Sequence, residues 1–134
     1  MRLAADANVL LSAVLGGRAR RILEHSSAPE IFTTEATLAE VQEYAGKLAN
    51  EKGLPLDLVL MTVATLPVTV VGRPDYEAAL SEAKRRIGRR DPDDIEILAL
   101  ALHSDFPVWS NDNDFENAGV VWYTTAELLA KLRL

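Results

Sequence analysis

The stretch "DPDDIEILALALHSDFPVWSNDNDF", from Asp91 to Phe115, sets acids on both sides of the most apolar part of the chain. Asp91, Asp93 and Asp94 precede one apolar run, and Asp112 and Asp114 follow a second. Asp6 closes the apolar start "RLAA", and Glu40 lies in a long segment of helical periodicity. Carboxylates brought together in this way suit a hard divalent cation, which takes oxygen ligands from protein, water and phosphate. Such an ion lowers the pKa of a bound water, and a second ion about 3.5–4 Å away stabilises a leaving oxygen in phosphoryl transfer. The chain has no cysteine and only His25 and His103 as imidazoles. That excludes thiolate metal sites, disulfides and cysteine nucleophiles, and leaves little material for histidine acid–base work.

Each acid also has a local explanation. Asp6 is placed to cap the helix beginning near Ala7, with Asn8 positioned to orient it or close the turn. Asp91 suits a helix cap, Pro92 a first helical position, and Asp93 and Asp94 a first turn where the dipole favours anions. Asp94 asks for more, because the helix behind it is apolar almost all round and therefore buried. A carboxylate at the mouth of a buried helix is partly desolvated, which is costly without a cation. Glu40 falls about 110° from the centre of the apolar stripe Leu38, Val41, Ala45 and Leu48, whereas Glu43 falls nearly opposite it. Ser110, Asp112 and Asp114 lie in "SNDNDF", whose turn composition needs no function by itself.

The elements that must position these residues alternate. Arg2–Ala5 reads as a strand, followed by a helix to Leu15 that Gly16-Gly17 breaks, and "RARRILEHSS" starts another. "PEIFTT" is a strand before a helix from about Glu35 to Glu51, and "GLPLDLVLMTVATLP" is a helix before the strand "VTVVG". One amphipathic helix is expected from Pro74 to Gly88, with Tyr76, Ala79, Leu80, Ala83 and Ile87 inward. "DPDDIEILALALHS" is a helix, "PVWS" and "VVWYT" are strands, and "TAELLAKLRL" closes the chain as a helix. Strands too apolar to be half-exposed, alternating with helices, imply a parallel sheet covered on both faces. The fold class is thus α/β, a three-layer α/β/α sandwich with right-handed crossovers. Ligands of such sheets bind beyond the carboxyl ends of the strands, which puts Asp6, Asp94 and Asp112 on one edge.

With 134 residues, the chain is sized for a single domain spanning 1–134. Its 49% apolar and 25% charged content is that of a soluble globular protein. No apolar run approaches the roughly 18 residues of a membrane span. No signal-like start is seen, so the expectation is a cytoplasmic protein without membrane contact. A net charge of −6 disfavours a protein that coats nucleic acid, but allows an enzyme that engages phosphate through bound cations.

The chain resembles the PIN domain family, and in particular its small toxins of the VapC type. The resemblance runs over essentially the whole chain and rests on four blocks. These are "LAADANVLLSAV", "TTEATLAEVQE" around Glu40, "RDPDDIEILALAL" and "VWSNDNDF", in the family's order and at family-like separations. It implies a sheet of order 3-2-1-4-5 and a Mg²⁺- or Mn²⁺-dependent endoribonuclease. The four acidic positions of the family carry over as Asp6, Glu40, Asp94 and Asp112, with Ser110 at the Ser/Thr position and Asp114 as an accessory acid. Because "DPDD" offers both Asp91 and Asp94, the third acid is assigned to Asp94 on the spacing to Ala99 and Ala101. The resemblance further implies an RNA substrate, a cognate antitoxin and a homodimer. Metal-activated water would leave a 5′-phosphate and a 3′-hydroxyl.

Substrate would then be held by cations outside the acidic notch. Arg89 and Arg90, at the end of "KRRIGRR", sit nearest to Asp94, although Glu82 can pair with Arg85 and Arg86 on a merely solvated face. A phosphoreceiver domain lacks its aspartate after the third strand here, and a haloacid dehalogenase-type phosphatase would want Asp-x-Asp where Asp6-Ala7-Asn8 stands. The alternative is a PIN-like scaffold without catalysis that binds RNA or protein. The retained acids argue against it.

Overall fold

The computed structural model describes residues 1–89 and 91–134. Five parallel strands form one sheet in the order β3-β2-β1-β4-β5. They are β1 (Arg2–Ala5), β2 (Glu30–Thr34), β3 (Thr69–Val71), β4 (Val108–Trp109) and β5 (Trp122–Tyr123). The central strand pairs with β2 at Leu3↔Ile31 and with β4 at Ala5↔Trp109.

Alternation along the strands builds the two outer layers. Leu3, Ala5, Ile31 and Trp109 point to one side, where α1 (Ala7–Val14), α2 (Arg18–Glu24), α3 (Glu35–Lys52), α4 (Leu56–Ala64) and α8 (Thr125–Lys131) pack. Ala4, Phe32 and Val108 point to the other, against α5 (Arg73–Tyr76), α6 (Leu80–Ile87) and α7 (Ile95–Ser104). The fully buried Trp109 donates its indole N–H to Thr125 Oγ1 at 3.0 Å, tying β4 to α8. Residues Ile97 to Ala101 of α7 are all buried, as an all-round apolar helix requires. Each of its two fully buried leucines, Leu98 and Leu100, contributes roughly 2 kcal/mol relative to exposure.

Several elements differ from expectation. β3 is at the edge, as the order 3-2-1-4-5 requires, but its Thr69 and Val70 are exposed, so its β-branched composition reflects strand propensity rather than burial on both faces. The helix expected over 74–88 is two helices, α5 and α6, joined by a tighter turn at Glu77–Ala79. Tyr76, Ala83 and Ile87 are buried as expected, while Ala79 and Leu80 are half-buried. On α3 the buried face is Thr37, Val41, Ala45 and Ala49; Leu38 and Leu48 flank it. The strands β4 and β5 are shorter than "PVWS" and "VVWYT". Residues Pro92–Asp94 form a tight turn leading into α7 rather than its first regular turn. None of the described helices is long and apolar enough to cross a membrane.

Candidate metal centre

The site forms where β1, β4 and their neighbours end. Asp6 follows β1, is 3% exposed, and caps α1 as expected, its Oδ1 accepting from Val9 N at 3.0 Å. The backbone N–H of Asn8 also faces the Asp6 carboxylate, while the exposed Asn8 side chain borders the cavity. Asp6 Oδ2 accepts from the hydroxyl of the wholly buried Ser110. Ser110 Oγ in turn accepts from Asp112 N at 2.9 Å, and Asp112 Oδ1 accepts from Asp114 N at 3.0 Å. The Trp122 indole holds Ser110 O at 2.8 Å, and Asn111 Oδ1 accepts from Thr125 N at 2.8 Å. The loop after β4 is thereby fixed to β1, β5 and α8 together.

Asp94 enters from the turn before α7 and Glu40 from the second turn of α3. Asp6, Glu40 and Asp94 line one cavity of about 180 Å³ with Asp91, Asp93, Leu11 and Tyr44 among its other walls. Carboxylate oxygens of Asp91, Asp94, Asp112 and Asp114 all lie within 4.8 Å of one another. The structure therefore brings Asp94 against both groupings: Asp6 and Glu40 on one side, Asp112 and Asp114 on the other. Asp91 Oδ1 accepts from Asp93 N at 3.0 Å, the cap that the sequence suggested, while its carboxylate also belongs to the four-acid grouping.

This crowding has an electrostatic cost. Burial pushes Asp6 up to about 6, with Asp112 adding to the rise and Ser110 and Val9 opposing it. Glu40 is pushed up to about 7 by burial and by the charges of Asp93, Asp91 and Asp6. Burial and the charges of Asp91, Asp6 and Asp112 hold Asp94 well above the ordinary carboxylate range. Asp94 Oδ2 is buried and, among the described residues, accepts no hydrogen bond. A buried, unpartnered oxygen among mutually repelling carboxylates fits a cation.

The basic candidates fare differently. Arg89 is exposed and is not among the residues lining the acid cavity. Arg90 lies outside the described residues. Arg85 and Arg86 pair with Glu82, as the solvated-face reading had it. Arg20 of "RARR" caps α1, donating to Ala13 O at 3.0 Å and Val14 O at 2.9 Å. Tyr44 and Leu11 were missed by the acid-based reading. The signal for Tyr44 was its place four residues after Glu40 on the same helical face.

Solved structures share this fold. VapBC2 from Rickettsia felis, bound to a promoter DNA fragment, superposes with a TM-score of 0.72 at 12% identity, over 92% of this chain and 98% of that one. FitAcB from Neisseria gonorrhoeae matches with a TM-score of 0.61 at 20% identity, covering 94% of this chain and 99% of that one. VapC20 of Mycobacterium tuberculosis, a sarcin–ricin loop cleaving toxin, gives 0.62 at 18% identity, over 90% of this chain and 97% of that one. No curated protein gives a significant sequence match. The PIN domain pattern matches residues 5–133, which takes in Asp6, Glu40 and Asp94 of the cavity and Asp112 of the four-acid grouping. The chain belongs to the PIN domain family.

Proposed function

We propose that the protein is a divalent-metal-dependent endoribonuclease and the toxin member of a toxin–antitoxin pair. The observation that carries this reading is the convergence of Asp6, Glu40, Asp91, Asp94, Asp112 and Asp114 around the unpartnered Asp94 Oδ2. Asp6, Glu40, Asp94 and Asp112, aided by Asp91 and Asp114, would hold Mg²⁺ or Mn²⁺. When bound, the metal supplies charge neutralisation at phosphate and a water acidic enough to attack it. Ser110 keeps the Asp6 carboxylate turned into the cavity while accepting from Asp112 N, so both acids keep one register. Glu40 and Asp94, whose proton affinities are raised by burial and neighbouring acids in the metal-free fold, would release those protons as a cation enters.

Partners follow from a second surface. On α4 and the turn before it, Leu56, Leu58 and Met61 are 49%, 60% and 62% exposed, and Leu54 and Leu60 are exposed as well. Exposed apolar side chains in this number call for cover. We assign it to the antitoxin and to a second copy of the chain, a reading supported by similarity to VapBC2 and FitAcB.

The test is cleavage of structured and unstructured RNAs by the purified protein with Mg²⁺, Mn²⁺ or EDTA. Metal-dependent cuts ending in 5′-phosphate and 3′-hydroxyl, absent from Asp6→Asn, are the expected result. An intact RNA pool under every condition would replace this reading with the non-catalytic binding module.

A further inference from the structure

The acids ring their own notch with negative charge, and the chain as a whole carries −6. A polyanionic strand therefore needs cationic contacts beyond the metal itself. Most basic side chains near the site are already committed. Glu82 engages both Arg85 and Arg86, and Arg86 Nη1 also donates to Ala118 O at 2.8 Å. Lys84 is different, for among the described residues no carboxylate lies within ion-pair distance of it.

Lys84 lines a cavity of about 360 Å³ between α5, α6 and α7, shared with Arg73, Ser81 and Glu96 and walled by Leu80, Pro92 and Ile95. This cavity and the acid cavity lie on either side of one turn, since Pro92 walls the first while Asp93 and Asp94 wall the second. Arg73 begins α5 directly after β3, so it stands at the same carboxyl edge of the sheet as Asp6. Its guanidinium is held in a fork, Nε donating to Glu96 Oε1 at 3.2 Å and Nη2 donating to the same oxygen. Glu96 is only 16% exposed at its side chain, whereas Arg73 is 61% exposed. The anchoring carboxylate thus belongs to the scaffold and the anchored cation faces outward. Arg73 and Lys84 against Glu96 leave the cavity net positive. The similar-sized cavity at the opposite edge of the sheet, walled by Asp105, Phe106, Pro107 and Val121, has no cationic side chain in its lining among the described residues.

We infer that the Arg73–Lys84 cavity is a subsite for the sugar–phosphate backbone of a single RNA strand next to the cut. Arg73 offers a fixed guanidinium and Lys84 a mobile ammonium to phosphate oxygens, two cations of complementary kind. Ser81 adds a hydroxyl, and Leu80, Pro92 and Ile95 give an apolar wall for a ribose or base face. The inference rests on the nuclease reading for its ligand.

The test uses the full-length chain, a short labelled single-stranded RNA and fluorescence anisotropy over a range of salt, beside steady-state cleavage. Lys84→Gln should weaken RNA binding roughly 3- to 10-fold and lower the salt slope by about 0.7, the share of one phosphate contact on a single strand. It should raise KM with kcat nearly unchanged, and leave calorimetric Mn²⁺ affinity and the melting temperature alone. Arg73→Lys, which keeps the charge but loses the fork, should move in the same direction. Lys52→Gln removes the same charge at the far end of α3 and should change nothing. Equal behaviour of Lys84→Gln and Lys52→Gln would overturn the subsite. So would Lys84-dependent binding of poly-glutamate as tight as that of RNA, which would make the cavity a dock for an acidic protein segment. A wild type that binds RNA through Lys84 yet cleaves nothing keeps the subsite and loses the nuclease reading. A wild type that binds no RNA loses both.

Discussion

Asp6 makes the metal-free protein sensitive to pH in the direction opposite to most carboxylates. Burial raises its pKa from 3.8 to about 6 in the fold, so the native state binds its proton more tightly than the unfolded chain does. Stability from this group is therefore fully present below about pH 4 and is lost as pH rises towards 6. At 1.36 kcal/mol per unit, the loss is about 3 kcal/mol. That is a large part of a small domain's total stability of roughly 5–15 kcal/mol. Glu40 and Asp94, also raised, extend the loss towards neutral pH. The check is urea unfolding in EDTA at pH 4, 5, 6 and 7 for wild type and Asp6→Asn. Asparagine can still accept from Val9 N and donate to Ser110 Oγ, so the variant removes the titration while keeping the geometry. The wild type should be the less stable of the two at pH 7, and the gap should shrink by about 3 kcal/mol on going to pH 4. Mg²⁺ at about 100 times its Kd should restore about 2.7 kcal/mol to the wild type at pH 7 and much less to the variant. A wild type minus variant difference that stays constant across this range would refute a proton-holding Asp6.

Asp94→Asn should abolish calorimetric metal binding and leave the fold intact or slightly more stable, because it relieves repulsion around a buried group. Asp91→Asn should keep the cap on Asp93 N, since asparagine caps as well as aspartate, and should weaken metal binding less than Asp94→Asn. Asp91→Ala adds a stability loss of roughly 1 kcal/mol in a thermal melt. Gly119→Ala should destabilise by about 1 kcal/mol or more, because φ is +74° there and the new Cβ would meet Arg86 Nη1 at 2.7 Å. Leu58→Asp with Met61→Asp should leave the melt near wild type, both side chains being about 60% exposed, while abolishing self-association in sedimentation.

How far this site could be seen in advance follows from the range of each interaction. The helix and strand order was legible because 3.6- and 2-residue periodicities are local, and the order of the strands came through the family resemblance. Whether a strand lies at an edge was not legible in "VTVV", since β-branched residues suit edge and centre alike. Nor was the break at Glu77–Ala79. A tight turn and a regular helix carry Tyr76, Ala83 and Ile87 to the same side, so apolar spacing does not separate them. Asp91 as a cap was visible within three residues of chain. Its company with Asp112 and Asp114 was not, because the loop after β4 is brought there only by the pairing of β1 with β4.

The same pairing sets when the cluster can exist during synthesis. The hydrogen bond from Ser110 to Asp6 joins residues 104 apart, and the central strand finds its second neighbour only when β4 has been made. Until then one edge of β1 stays open, Asp6 lacks the Ser110 hydroxyl, and Asp112 and Asp114 do not yet exist. A growing chain thus carries two of the acids early and completes the set only once β4 and the loop after it have been made, after the slow long-range closure that such topology entails. Fragments released before that closure would lack Asp112 and Asp114 beside Asp94, so the full acid cluster exists only in a finished fold.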